Sequence, residues 1–310
     1  MSENIEGRGG VYMIAVMGAT GNVGRKIADI LAKKNEPIRV ISRSVDLLRL
    51  MVSKTVTAFA GDANDTEFLV KAFTDVEAVF ALIPPNATAP EFIRYADTLG
   101  QSVAQALEIS KVKYVVYLSS VGAEIAGSGT GPIVALHNME ERLNRIKGLH
   151  VINLRAGYFM ENLFWNIELI RSKGIMGSAI RGDIKIPMIA TKDIAAFAAE
   201  RLTKRDFIGS SVHYLLGQRD LTLDETSSIV ATKISKPGLR YITFPYDEAE
   251  KGMIAIGLSP DMSKTYIEMA RAFNDGKIKA VRTNENTTST SMELFCDEVF
   301  VPALMQKKVA

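Results

Sequence analysis

The sequence predicts an α/β fold in which helices cover both faces of a parallel sheet. Short, almost wholly apolar segments alternate along the chain with segments whose apolar residues recur every three or four positions. The first apolar segment runs directly into a glycine-rich turn. Strands that are apolar throughout are typical of a parallel sheet buried on both faces, because a sheet with one wet face alternates polar and apolar residues.

Seven strands are predicted, at residues 11–17, 38–42, 55–60, 78–83, 114–118, 151–154 and 212–216. Helical spacing predicts helices at 23–34, 68–73, 92–107, 136–146 and 194–202. Thr191 is the predicted N-cap of the last of these, since threonine is a favoured capping residue. Past Gly217 the alternation stops, and helices at 223–234 and 262–273 and a polar loop at 283–291 are expected.

This pattern predicts a division of the chain into three parts. Residues 1–10 are interpreted as a tag or a flexible tail, because they are polar and contain Ile-Glu-Gly-Arg, which looks like a protease site. Residues 11–157 with 186–217 are assigned to the domain that contains the parallel sheet. Residues 158–185 with 218–310 are assigned to a smaller, mostly helical lobe that would take a substrate or a partner.

Composition narrows the possible functions. The 310 residues are 47% hydrophobic and 23% charged, as in ordinary globular proteins. Lys and Arg number 37 against 35 acidic residues, so the strongly basic footprint of a nucleic-acid binder is absent. No apolar stretch reaches the roughly 20 residues of a membrane span. The single cysteine, Cys296, excludes an intrachain disulfide and a cysteine-based metal cluster. We therefore expect a cytoplasmic protein with no metal site.

The turn at residues 18–24, Gly-Ala-Thr-Gly-Asn-Val-Gly, is the most informative segment. It lies between a predicted strand and a predicted helix, which is the context that a dinucleotide-binding glycine motif requires. Glycines permit a tight turn and close approach of a diphosphate, and the helix N-terminus offers free N–H groups. The sequence therefore predicts a Rossmann-type, doubly wound sheet. The predicted cofactor contacts in this turn are Gly18, Thr20, Gly21, Asn22, Val23 and Gly24.

The end of the second strand bears on the choice of cofactor. An acidic residue there would hold the ribose of NAD, whereas this sequence has Ser42 followed by Arg43. A guanidinium can pair with a 2′-phosphate, so we expect a preference for NADP(H), with NAD(H) possible. The alternative is that Arg43 is an ordinary surface arginine.

Four segments carry a resemblance to a known family: the turn at 18–24, Gly61-Asp62, residues 117–123 (YLSSVGA) and residues 154–162 (LRAGYFMEN) with Asp193 further on. The chain resembles the NmrA-like branch of the atypical short-chain dehydrogenases/reductases over about residues 13–303. The turn is common to the whole superfamily, whereas the segment at 154–162 is more specific to the NmrA-like branch. Ala156 departs from the proline usual in the family, with little consequence for mechanism.

The resemblance also shows what is missing. Members of the superfamily use a tyrosine as acid, with a lysine four residues later, and Ile133 and His137 stand at those places. Ile133 cannot donate a proton, so ordinary ketone chemistry is not expected. By resemblance to quinone-reductase-like members, His137 would orient the cofactor or donate a proton. The alternative, weighed equally, is a surface histidine paired with Glu141.

The remaining site residues follow the ends of the predicted strands, where α/β proteins bind their ligands. The resemblance places Leu82 and Ile83 under the cofactor ribose and Asp62 at the adenine. Ser119 is expected to bind the nicotinamide region, and Ser120 is a predicted catalytic residue. The pocket for the substrate would be lined by Tyr158, Phe159 and Asn162, whose aromatic rings suit a flat acceptor.

Two functions remain open from the sequence, with a weaker third. The first is an oxidoreductase that passes hydride from NADPH to a planar small molecule such as a quinone or an azo compound. The second is a redox sensor that binds NADP(H), has no catalytic activity and controls a protein partner. The third is isomerase or lyase chemistry. A monomer and a homodimer are equally compatible with the sequence.

Overall fold

A computed structural model describes residues 12–125, 127 and 129–306. The predicted tail at 1–10 and the first residue of the predicted first strand lie outside this range. The strands in the described part are β1 (Met13–Met17), β2 (Ile38–Ser42), β3 (Val56–Ala60), β4 (Val76–Ala81), β5 (Tyr114–Ser120), β6 (His150–Ala156), β7 (Tyr158–Phe159), β8 (Ile175–Ser178), β9 (Ile186–Ile189), β10 (Ser210–Leu215), β11 (Asp220–Leu221) and β12 (Arg240–Thr243).

Seven strands form the main sheet, in the order β10-β6-β5-β4-β1-β2-β3. Every pair in it is parallel. All seven predicted strands are present in it, displaced by at most a few residues at their ends. The chain builds outward from β1 to β2 and β3, and then returns to add β4 on the other side of β1. The strand order therefore reverses between β1 and β4, which is the point where open α/β sheets bind ligands.

The helices in the described part are α1 (Gly24–Lys33), α2 (Val45–Arg49), α3 (Thr66–Phe73), α4 (Phe92–Ile109), α5 (Ile133–Asn144), α6 (Ile167–Lys173), α7 (Thr191–Lys204), α8 (Leu223–Lys233), α9 (Tyr246–Ala255), α10 (Pro260–Asn274), α11 (Met292–Phe295) and α12 (Val301–Met305). A 3₁₀ helix spans Met160–Asn166 and a π-helical turn spans Cys296–Phe300.

Helices cover both faces of the main sheet. One apolar core joins the sheet to α3, α4 and α5, and a second joins it to α1 and α7. The apolar spacing of these helices supplies the residues that face the sheet, so burial of apolar area stabilises both layers. The predicted doubly wound α/β fold, with a helical carboxyl-terminal region, is confirmed.

Besides the seven predicted strands, the described part of the structure contains five short strands that the sequence did not predict. They form a three-stranded sheet, β11-β9-β7, and a parallel pair, β12-β8. The pair joins residues 175–178 to residues 240–243. Strands of two to four residues are too short to show a period of their own, and their partners are distant in sequence. The proposed division into a domain and a lobe stays a prediction.

The carboxyl-terminal helices are attached to the main sheet by specific hydrogen bonds. The Ser259 N–H, just before α10, donates to the Ala87 carbonyl at 2.8 Å. Asp193, at the start of α7, accepts the hydroxyl groups of Thr288 and Thr290 at 2.6 Å each. These contacts fix α10 against the loop after β4 and the polar segment at 283–291 against the start of α7. Among the described helices, none has both the length and the apolar character needed to cross a bilayer.

Candidate functional site

The glycine turn after β1 is closed by its own backbone and is packed too tightly for side chains. Gly18 has φ +61°, a left-handed conformation that favours glycine. Its carbonyl oxygen accepts the Gly21 N–H at 2.9 Å. A Cβ on Gly24 would lie 2.3 Å from the Gly18 carbonyl oxygen. Gly18 therefore makes the turn, and Gly24 allows α1 to begin directly against it.

In the described part of the chain, no side chain caps the start of helix α1 with a hydrogen bond. Its N-cap is Val23, which makes no side-chain cap, and its first turn contains no acidic residue. Within the described residues, the N–H groups of Asn22, Val23 and Gly24 donate to no acceptor. Free N–H groups and the positive end of the helix dipole together suit an anion such as a phosphate.

Two other helices without a side-chain cap of their own receive a carboxylate from a distant element. The Phe92 N–H, at the start of α4, donates to Asp261 at 2.7 Å. The Thr191 N–H, at the start of α7, donates to both oxygens of Glu161 at 3.1 Å. In the part of the chain that the structure describes, no carboxylate serves α1 in this way. The start of α1 is therefore left open to an anion from outside the chain.

The predicted cap of α7 is wrong by one residue. Ala190 is the N-cap, and Thr191 is the first residue of the helix. The Thr191 hydroxyl donates to Glu161 instead of accepting an N–H from the helix. A carboxylate accepts more strongly than a hydroxyl, so the buried Glu161 has taken over the capping role.

The turn is tied to the end of β2, where Arg43 lies. The Thr20 and Ser42 hydroxyl groups hydrogen-bond at 2.7 Å, and the Ala19 N–H donates to the Ile41 carbonyl at 3.1 Å. Arg43 follows Ser42 and is exposed. No hydrogen bond or ion pair involves its guanidinium among the described residues. A guanidinium without a hydrogen-bond or ion-pair partner among the described residues thus follows the strand end that is hydrogen-bonded to the turn, and its pairing with a 2′-phosphate stays a prediction.

A tyrosine that sequence reasoning missed lies near Arg43 and Asp62. Burial raises the pKa of the Tyr95 phenol, while the charge of Arg43 lowers it and that of Asp62 raises it. Both charged groups therefore lie close to Tyr95, which comes from α4. Asp62 is exposed and accepts the Asn64 N–H at 3.0 Å. The spacing within α4 gave no sign of Tyr95, because this residue lies outside the apolar stripe.

The ends of β1 and β4 meet at the point where the strand order reverses. A Cβ on Gly18 would lie 2.8 Å from a methyl group of Leu82. Ile83 follows and is buried in the core under α3, α4 and α5. Leu82 thus lies against the glycine turn, and the contact of Leu82 and Ile83 with a cofactor stays a prediction.

The two serines at the end of β5 point to different partners. The Ser119 hydroxyl is buried and donates to the buried carboxylate of Glu140. Glu140 also accepts two hydrogen bonds from Arg155, at 2.6 and 3.0 Å. The Ser120 hydroxyl is partly exposed and donates to the Val121 carbonyl at 2.9 Å. Ser119 therefore belongs to a buried ion-pair network, and Ser120 is the more accessible of the two.

Ile133 and His137 lie in different surroundings on α5. Ile133 is buried in an apolar cluster that includes Ile278 from the carboxyl-terminal region. One ring nitrogen of His137, Nδ1, lies 2.8 Å from the Ala123 carbonyl oxygen. The same side chain lines an open groove between α4 and α5. Glu141 pairs with Arg145 and not with His137. A cofactor-orienting role of His137 stays a prediction.

The three predicted substrate residues follow β6 but face different ways. Tyr158 packs against the core of the small sheets, whereas Phe159 packs against the core beneath α1 and α7. Burial raises the pKa of Tyr158 to about 12, with a further rise from nearby Tyr266, while a hydrogen bond with Asn162 opposes both. Tyr158 and Tyr266 therefore stay protonated at neutral pH. Tyr266, from α10, is a second residue that sequence reasoning missed.

A family model described as the NmrA-like family matches residues 12–296. An NAD(P)H azoreductase from Xenophilus azovorans is 24% identical over 259 residues, which cover 83% of this chain and 86% of that protein. A (4-alkanoyl-5-oxo-2,5-dihydrofuran-3-yl)methyl phosphate reductase from Streptomyces griseus is 28% identical, over 94% of this chain and 100% of that protein.

A solved structure has the same fold. The NADPH-dependent quinone oxidoreductase of Escherichia coli, in complex with NADPH, superposes with a TM-score of 0.78 at 21% sequence identity. The superposition covers 93% of this chain and 100% of that protein.

We predict opposite effects of alanine at two glycines of this chain. In Gly24→Ala the new Cβ would collide with the Gly18 carbonyl oxygen, so the free energy of unfolding should fall by about 1–3 kcal/mol. Gly252 lies within α9 with open space around its Cβ position. Gly252→Ala should therefore raise stability by about 0.5–1 kcal/mol through helix propensity. Urea unfolding of the two variants measures the difference, and equal effects would refute the close packing at Gly24.

Proposed function

Because this chain belongs to the NmrA-like family, we propose that it is an NADP(H)-dependent oxidoreductase that passes hydride to a planar acceptor such as a quinone or an azo compound. The observation that carries the proposal is the uncapped start of α1, where the N–H groups of Asn22, Val23 and Gly24 have no partner among the described residues. A diphosphate would satisfy these donors and the positive end of the helix dipole. NAD(H) remains a possible second cofactor.

The residues around the turn fit the other parts of NADP(H). Arg43 would pair with the 2′-phosphate, and Asp62 and Tyr95, whose side chains lie near each other, would contact the adenosine. Leu82 and Ile83 would support the ribose on the side of β4, and Ser120 and His137 would lie toward the nicotinamide. A Cβ at Gly18 or Gly24 would occupy the space of neighbouring groups, so the glycines keep the turn compact. Bound NADPH would supply the hydride.

The chain's own residues would then bind and orient the acceptor. Tyr158 and Asn162 follow β6, and their side chains lie close to each other. A protonated phenol can donate a hydrogen bond to an acceptor oxygen or nitrogen. Ile133 offers no proton, so we infer that the reduced acceptor takes its proton from water or from a phenol such as Tyr158. Quinones and azo compounds accept hydride without the tyrosine–lysine pair, and the protein contributes mainly positioning.

The names of the relatives support the proposal that this chain is a reductase, without identifying its acceptor. The relative from Xenophilus azovorans is named for azo compounds, that from Streptomyces griseus for a furanone phosphate, and both are named as reductases. The similar solved structure is that of a quinone oxidoreductase. These acceptors differ, so the planar acceptor of this chain is our own inference.

A second candidate function is a redox sensor that binds NADP(H) and does not turn it over. The apolar side chain of Ile133 and the commitment of the Ser119 hydroxyl to Glu140 favour it, because neither side chain offers a free proton donor to a substrate. Such a sensor would signal to a protein partner.

We predict that the purified protein oxidises NADPH in the presence of at least one quinone or azo dye. Gly21→Asp should abolish this turnover, because a carboxylate in the turn repels the diphosphate. Gly252→Asp places the same charge at a glycine with open surroundings and should retain turnover. The decay of the reduced-cofactor absorbance measures both. Tight NADPH binding without turnover of any acceptor would favour the sensor.

Arg43 should set the preference between the two cofactors. We predict that Arg43→Ala lowers kcat/KM for NADPH by about tenfold or more, the size of a lost charge-assisted contact, and changes that for NADH little. Arg49→Ala, on the exposed surface of α2, is the matched control. An unchanged ratio of kcat/KM for NADPH to kcat/KM for NADH in Arg43→Ala would show that Arg43 does not bind the 2′-phosphate.

A further inference from the structure

Lys26 joins the glycine turn to two distant elements. Its ammonium group donates to the Asn22 carbonyl at 3.0 Å, inside the turn. It also donates to the Thr191 hydroxyl at 2.9 Å, at the start of α7. The same group lies 3.8 Å from a carboxylate oxygen of Glu161, in the 3₁₀ helix after β7. One lysine therefore contacts the turn, α7 and the segment that continues into Asn162.

The arrangement around Glu161 keeps Lys26 in place. The Glu161 side chain is only 4% exposed, while that of Lys26 is 36% exposed. Glu161 accepts the N–H and the hydroxyl of Thr191 as well as lying beside Lys26. A buried carboxylate is costly unless it is paired and hydrogen-bonded, so Lys26 and Thr191 together offset the cost of burying Glu161. These contacts keep the ammonium group beside Asn22.

The bond from Lys26 to Asn22 has a consequence for the next peptide group. The peptide bond is planar and trans, so the N–H of Val23 points opposite to the carbonyl of Asn22. With that carbonyl held by Lys26, the Val23 N–H is directed away from Lys26. This N–H is one of the free donors at the start of α1. The lysine thus fixes the direction of a donor that it does not itself touch.

We propose that Lys26 is a positioning residue for the diphosphate: anchored by Glu161 and Thr191, it holds the Asn22 carbonyl so that the Val23 N–H faces the cofactor. This proposal rests on the proposed function, since it takes NADP(H) as the ligand of the turn. The same anchor ties the turn to Asn162, so the diphosphate site and the acceptor pocket share one rigid connection.

The test compares a ligand that has the diphosphate with one that lacks it. Lys26→Met should weaken NADPH binding by about tenfold, the effect of one misdirected hydrogen bond to a charged group. Binding of adenosine 2′-monophosphate, which reaches only the Arg43 side, should change less than about twofold. Titration calorimetry measures NADPH, and competition with NADPH measures the fragment. A merely structural role of Lys26 would weaken both ligands alike, and that result would overturn the proposal.

Three further variants separate positioning from other effects. Lys33→Met removes a cation from the exposed end of the same helix and should leave NADPH binding unchanged. Lys26→Arg retains the donors and should restore most of the affinity. Lys26→Met combined with Glu161→Gln removes both charges, so no unpaired carboxylate is left to destabilise the fold. This double variant should still bind NADPH about tenfold more weakly than the unaltered protein, because the hydrogen bond from Lys26 is missing.

Recovery of NADPH affinity in the double variant would overturn the proposal, because the loss would then come from the unpaired Glu161. Unchanged binding in Lys26→Met would overturn it as well, while leaving the proposed function intact. Failure of the unaltered protein to bind NADPH would contradict both the proposed function and the role of Lys26.

Discussion

The start of α1 is an open helix end, whereas the starts of α4 and α7 are closed by carboxylates from distant elements. The N–H groups of residues 22–24 lack partners among the described residues, while Asp261 serves α4 and Glu161 serves α7. Free donors at a helix N-terminus carry an electrostatic and hydrogen-bonding cost that an anion relieves. The glycine turn, the reversal of strand order and the free guanidinium of Arg43 all converge on this end. The function that we propose depends on it.

The two carboxylates at the starts of α4 and α7 also join segments that are far apart in sequence. Asp261 belongs to α10 but accepts the N–H at the start of α4, so the helix that carries Tyr266 is joined to a helix that packs on the main sheet. Glu161 follows the strand that carries Tyr158 and serves α7. Through these contacts the segments that would bind an acceptor are placed beside the ends of β1, β4 and β5. Charge and hydrogen bonding thus position the site, and apolar burial supplies the bulk of the stability.

Much of the fold was predictable because its strands are continuous apolar runs and its turn has a strict spacing of glycines. The family resemblance, from the turn and residues 154–162, is likewise confirmed over residues 12–296. Other features depend on contacts between distant residues, which periodicity does not show. Glu161 meets Thr191 across 30 positions, and Phe92 meets Asp261 across 169. Lys26 likewise meets Thr191 across 165 positions, and the short strands β8 and β12 pair although they are far apart in sequence.

A crystal structure of the protein with NADPH tests the central claim most directly. The account predicts the diphosphate within hydrogen-bonding distance of the N–H groups of Val23 and Gly24, with the 2′-phosphate at the Arg43 guanidinium. Density for NADPH at another place, or a diphosphate that makes no contact with the start of α1, would contradict it.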